Sequence, residues 1–146
     1  MNMRLILITF LILGCMSLLA AQPPETLEAM KARADSASGG EQVRASLHVA
    51  RTQLAHLNDY YKAGDNENAR RALKDVETYG VRAANASAES KKYQKDCEIE
   101  VRKIAYRLGE ISKDADFEER PAIKAVIAKL DKAHDDLLNK MFGNKK

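Results

Sequence analysis

The segment that decides the fold is AANASAESKKYQ, residues 83–94, which lies between two helical stretches and contains neither proline nor glycine. Before it, apolar and small residues recur every three or four positions from Ala69 to Ala83. After it, the same spacing runs from Cys97 to Ile111. Residues with this spacing form one stripe along the side of a helix. The two stripes share one phase across the segment, because Ala69 and Ile111 are separated by six whole heptads.

The preserved phase predicts that residues 66–113 form one continuous helix. With a rise of about 1.5 Å per residue, such a helix is roughly 70 Å long. Serine and asparagine also favour loops, so a second interpretation places a turn near residues 85–90 and folds the chain into a compact four-helix bundle.

A first outer helix is predicted over residues 42–63. Gly64 is a natural C-terminal cap for it, and Asp65 suits the N-cap of the next helix. The stripe of this helix consists of Val43, Leu47, Ala50, Leu54, Leu57 and Tyr61.

A last helix is predicted over residues 120–142, with Pro121 in its first turn. The predicted fold is therefore all-α, an elongated antiparallel array of one long central helix and two outer helices in a single domain over residues 41–143. Ile99 and Tyr106 are seven residues apart and off the main stripe. They mark either a second apolar edge that another helix covers or a shallow flank of the same core.

The start of the chain has the pattern of a secretory signal peptide over residues 1–21: a positive start, an almost wholly apolar Leu5–Leu19, and small residues before Gln22. Its apolar run is shorter than the roughly 20 residues that cross a bilayer. We therefore expect an exported protein, periplasmic or secreted, with no membrane span. A lipid anchor at Cys15 is the alternative, because the residues before it resemble a bacterial lipobox.

Two terminal segments are predicted to lie outside the helical domain. Residues 22–40 are expected to be a flexible lead-in with a turn or two of helix, ended by Ser38-Gly39-Gly40, and residues 144–146 a short tail.

Charge and cysteine content limit the possible partners. The net charge is +3 and the signs are interspersed, so the sequence lacks the basic patch that nucleic-acid binding requires. If the signal peptide is removed, Cys97 is the only remaining thiol. Its place in the apolar stripe favours a small buried residue over a thiol that forms a dimer or takes part in redox chemistry.

The segment YYKAGDNENARRAL, residues 60–73, resembles the centre of a tetratricopeptide repeat. Leu57 and Val81 depart from that pattern, and no second copy follows, so the resemblance implies a single helical hairpin. The chain as a whole resembles exported bacterial helical proteins with paired-helix domains, which implies no activity. The residues that match the tetratricopeptide pattern are Tyr60, Gly64, Asp65 and Ala69.

No sequence motif indicates catalysis. The acidic residues between Asp114 and Glu119 are expected in a solvated loop, and His48 and His56 lack the spacing of a helical zinc pair. Met30 with His134 is the one pair that could hold haem in a helical bundle. The prediction is that the chain has no catalytic, cofactor-binding or metal-binding residues.

The expected function is therefore that of a non-enzymatic exported protein that acts through protein–protein contacts, with itself as a homodimer or with another protein. The alternative is a bundle that binds a small ligand, haem or a metal.

Overall fold

The computed structural model describes residues 23–143, which form five helices and no strand. The prediction of an all-α fold is confirmed. Consecutive helices are antiparallel, as shown where Gln53 Nε2 donates to Asp75 Oδ2 over 2.5 Å and where His134 Nε2 lies 2.9 Å from Glu98 Oε1. The helices are α1 Leu27–Ser36, α2 Gly39–Ala63, α3 Asn66–Ser90, α4 Gln94–Asp114 and α5 Arg120–Phe142.

The hairpin between α2 and α3 forms as its turn residues predict. Gly64 caps α2 with a left-handed backbone (φ 72°), and its N–H donates to the Tyr61 carbonyl over 3.1 Å. Asp65 caps α3 by accepting from the Asn68 N–H over 3.2 Å. Each helix has 25 residues. A whole tetratricopeptide repeat has about 34, so the hairpin is much longer than that repeat unit.

The prediction of one continuous helix over residues 66–113 is wrong. Helix α3 ends at Ser90 and α4 begins at Gln94, and the chain reverses at residues 91–93 through two left-handed residues, Lys91 (φ 57°) and Tyr93 (φ 54°). The Ser87 hydroxyl stabilises this turn by donating to the Lys92 carbonyl over 2.7 Å.

The shared phase of the two stripes has a different cause. Both stripes face the same core across a short reversal, so each keeps helical spacing without the helices being joined. The compact-bundle interpretation was the better one, although the turn follows Ser90 instead of lying within residues 85–90.

The prediction of a flexible lead-in over residues 22–40 is wrong for the residues that form α1 and for Gly39 and Gly40, which begin α2. Thr26 caps this helix, and its Oγ1 accepts from the Ala29 N–H over 3.2 Å. Met30 and Ala34 are buried. Its polar face is tied to α3 by an ion pair between Lys31 Nζ and Asp75 Oδ2 at 2.7 Å. The sequence of α1 contains few apolar residues, because its polar face forms ion pairs with α3 and only its apolar face is buried.

The core lies between α2, α3, α4 and α5, with α1 packed on the α2–α3 hairpin. Helices α3 and α5 approach closely at Gly80, where an added Cβ would lie 2.6 Å from Leu130 Cδ2. The predicted last helix over residues 120–142 is confirmed, with Pro121 in its first turn. The largest fully buried side chains include Leu57, Ile104, Leu108, Ile123, Leu130 and Leu137.

Three predictions concern residues outside the described part of the chain: the signal peptide over residues 1–21, the lipid anchor at Cys15, and the tail over residues 144–146. Between residues 23 and 143, no helix has both the length and the apolar character that crossing a membrane requires.

Candidate functional site

A long surface groove separates α2 from α4. The two helices lie side by side and run in the same direction, because the antiparallel helix α3 connects the end of α2 to the start of α4. Helix α2 packs mainly on α3 and α4 mainly on α5, so α2 and α4 contact each other less closely. At one end the Tyr93 ring lies against Gly40, and further along Arg51 Nη1 lies 3.6 Å from Glu100 Oε2. We call this surface the α2–α4 groove.

The first part of the groove has a volume of about 820 Å³ and lies beside α1. Met30 from α1 and Leu47 from α2 contribute apolar surface, and Ile99 contributes it from α4. The ring of Tyr93 is 45% exposed, and the Arg44 guanidinium carbon lies 5.9 Å from its centroid. This distance is within the range of a cation–π contact.

The second part of the groove has a volume of about 570 Å³. Its apolar surface comes from the half-buried Leu54 on α2 and from Tyr106 on α4, which is 72% exposed, and the buried Ile104 lies beneath them. Arg51 and Glu100 line both parts, so the two parts form one continuous surface.

The groove carries an excess of positive charge. Its second part holds four cationic side chains and a single carboxylate, Glu100, which pairs with Arg51 and lies 3.2 Å from Lys103 Nζ. A third groove on the opposite side, beside α3 and α5, is balanced in charge. The four cations of the second part are Arg51, Arg102, Lys103 and Arg107.

Part of this surface was predicted from the sequence. Ile99 and Tyr106, predicted to mark a second apolar edge or a shallow flank of the core, both line the groove. Ile99 is half-buried and Tyr106 is exposed. The contributions of Arg51 and Leu54 were missed, because nothing in the spacing of α2 shows that α4 lies beside it.

Met30 and His134, the pair considered for haem, line different surfaces, whereas His48 lines the first part of the groove together with Met30. Met30 lines the groove on the α2 side of α4. His134 packs between α4 and α5, where its Nε2 lies 2.9 Å from Glu98 Oε1. His48 and His56 are exposed on α2. Within residues 23–143, no cluster of three or more His, Cys, Asp or Glu side chains could hold a metal ion.

The interpretation of Cys97 as a small buried residue is confirmed. Its side chain is fully buried on α4, close to Ser87 on α3. Burial raises the pKa of the Cys97 thiol to about 12, so the thiolate that reacts with disulfides or metals is suppressed near neutral pH.

The expectation that the acidic residues before α5 are all solvated is wrong for Glu119. Its side chain is 3% exposed, and both carboxylate oxygens accept from Arg70, at 2.5 and 3.2 Å. Nearby, burial raises the pKa of Tyr61 to about 12. Asn66 Nδ2 donates to Asp116 Oδ2 over 3.4 Å. The hydrogen bonds from Arg70 and Asn66 join the α4–α5 loop to the α2–α3 hairpin. Glu119 and Asp116 therefore have a structural role.

Comparisons of the chain with protein-family models, with curated proteins and with solved structures gave no match.

Proposed function

We propose that the protein is exported and acts outside the cytoplasm as a non-enzymatic binding protein that contacts another protein through the α2–α4 groove. The observation that carries this proposal is the exposure of Tyr106 within an apolar surface bordered by cations. Exposed aromatic side chains beside arginine are typical of the residues that dominate protein–protein binding energy.

The shape of the groove favours a protein over a small molecule. Along α4 the lining runs from Tyr93 to Arg107, a distance of about 20 Å at about 1.5 Å per residue. Pockets for small ligands usually enclose most of the ligand surface. An open surface between two helices is better suited to an extended contact with another chain.

The proposal of export depends on the signal-peptide pattern of residues 1–21. If this segment is cleaved, mass spectrometry of the protein recovered outside the cytoplasm should give a chain that begins at Gln22. A full-length chain recovered only from the cytoplasm would contradict export.

The groove is tested by comparing proteins that co-purify with the tagged chain and with two variants, Tyr106→Glu and Phe142→Glu. Phe142 is 64% exposed near the end of α5 and lies outside the groove, so it is a matched control. We expect Tyr106→Glu to reduce the recovered partner about tenfold, since a buried carboxylate opposes an apolar contact. Equal recovery with both variants would exclude the groove as the binding surface.

A further inference from the structure

We infer that the occupant of the α2–α4 groove is an amphipathic helix of a partner protein with acidic residues along the edges of its apolar face. This inference rests on the proposed function and specifies the chemistry of the partner.

The charge of the groove selects an acidic partner. In its second part, Glu100 is the only carboxylate and is shared between Arg51 and Lys103. Arg107 forms no ion pair within residues 23–143, so its charge is available to a partner. Arg102 reaches only Glu98, with its Nε 3.7 Å from a carboxylate oxygen. A basic segment would be repelled here, whereas the carboxylates of an acidic segment would be attracted by the cations that line the groove.

The first part of the groove is closer to balance, because its lining holds four cations and three carboxylates: Arg33, Arg44, Arg51 and Lys103 with Glu25, Asp96 and Glu100. Arg44 contacts the Tyr93 ring and forms no ion pair within the described residues. The balanced groove beside α3 and α5 pairs Lys129 with Glu77 and Lys132 with Asp136. A strong excess of positive charge is therefore a property of the second part of the α2–α4 groove and not of every groove on the molecule.

The apolar part of the groove fits a helix. Leu54 lines the second part from α2 and Tyr106 is exposed on α4, with Arg51, Arg102, Lys103 and Arg107 in the same lining. A groove of about 20 Å accommodates three to four helical turns at about 5.4 Å per turn. A partner helix with apolar residues at positions i, i+3 or i+4, and i+7 would cover this surface, as in other helix-in-groove complexes.

A second copy of the chain is a poorer occupant. The helices of this protein carry interspersed charges of both signs, and the net charge of the chain is +3. A dimer through the groove would bring two positively charged surfaces together, which costs binding energy.

The test places a photo-crosslinking amino acid at position 106 of the full chain and expresses it in the cells that naturally produce the protein. The same amino acid at position 142 is the control. After irradiation, the crosslinked segment is identified by mass spectrometry. We expect an adduct at position 106 that is absent at position 142, in which the crosslinked segment is acidic and has helical apolar spacing.

Charge reversal provides the second arm of this experiment. In the chain that carries the crosslinker at position 106, Arg107→Glu should reduce the adduct about tenfold, since it replaces an attraction by a repulsion. Lys124→Glu changes the net charge equally but lies on α5, outside the groove, and should leave the adduct unchanged.

The outcomes separate the inference from the proposed function. A protein adduct through a basic or uncharged segment, or one insensitive to Arg107→Glu, would overturn the acidic helix and keep the groove as a protein-binding surface. An adduct with a second copy of the chain would also overturn it. A lipid adduct alone, or no adduct at position 106 beyond that at position 142, would overturn both.

Discussion

Gly80 and Gly109 show that one residue type has two roles in this molecule. Both lie inside helices, where glycine is unfavourable because it leaves the unfolded chain more freedom. At Gly80 an added Cβ would lie 2.6 Å from Leu130 Cδ2, whereas at Gly109 it would meet no atom within 4 Å. Gly80 is therefore required by the contact between α3 and α5, and Gly109 is not required by packing.

Replacing each glycine by alanine should change stability in opposite directions. We expect Gly109→Ala to raise the free energy of unfolding by about 0.5–1 kcal/mol through helix propensity. We expect Gly80→Ala to lower the free energy of unfolding by about 1 kcal/mol, because strain against the fully buried Leu130 exceeds the gain in helix propensity. Urea denaturation of residues 22–146 measures both values.

A double-mutant cycle identifies the cause of the Gly80 effect. In the Leu130→Ala background the clashing methyl group is absent, so Gly80→Ala should become neutral or stabilising. A loss of stability of the same size in both backgrounds would show that Leu130 is not responsible.

The turn between α3 and α4 is the element on which the architecture depends. Two of its three residues, Lys91 and Tyr93, adopt left-handed backbone conformations that cost non-glycine residues roughly 1–2 kcal/mol each. The Ser87 hydroxyl offsets part of this cost through its bond to the Lys92 carbonyl, and the Tyr93 ring packs on Gly40. A local hydrogen bond and a contact with α2 thus stabilise a turn whose backbone conformations are unfavourable for lysine and tyrosine.

Glycine at position 91 should stabilise the protein, because Lys91 has a left-handed backbone and an exposed side chain. We expect Lys91→Gly to raise the free energy of unfolding by about 0.5–1 kcal/mol, measured by thermal or urea unfolding. Lys92→Gly removes an identical side chain from a residue without positive φ, and should lower stability. Equal effects of the two substitutions would argue against the left-handed turn at residue 91.

At the scale of the molecule, the reversal at residues 91–93 brings α4 beside α2 and creates the groove. A continuous helix over residues 66–113 would have placed the halves of the chain at opposite ends of a rod. The five-helix packing instead places α1 and α4 on the two sides of the first part of the groove, so residues far apart in sequence, such as Met30 and Ile99, line one surface.

Small-angle X-ray scattering of residues 22–146 distinguishes the two architectures. A compact domain of this length has a radius of gyration of about 14 Å. A central rod of roughly 70 Å would by itself give about 20 Å. We expect the smaller value for the monomer at low protein concentration, and a value near 20 Å would contradict the turn at residues 91–93.

The sequence by itself determined the local features of this protein. Periodic apolar residues predicted the helical segments of α2 to α5, although α3 and α4 were predicted as one helix. Gly64 and Asp65 predicted the first hairpin, and Pro121 marked the start of the last helix. Each of these signals acts within a few residues, through capping or backbone geometry, and so can be read from a short segment. Ile99 and Tyr106 were singled out in the same way, as apolar residues off the main stripe.

Only the tertiary structure decided where the chain reverses and which surfaces meet. The left-handed residue Tyr93 packs its ring on Gly40 of α2, and this contact helps to hold the reversal. Helix α1 is held by the burial of Met30 and Ala34 and by ion pairs with α3. The α2–α4 groove exists because a short turn sets two distant segments side by side. Such contacts join residues tens of positions apart, and helical periodicity contains no information about them.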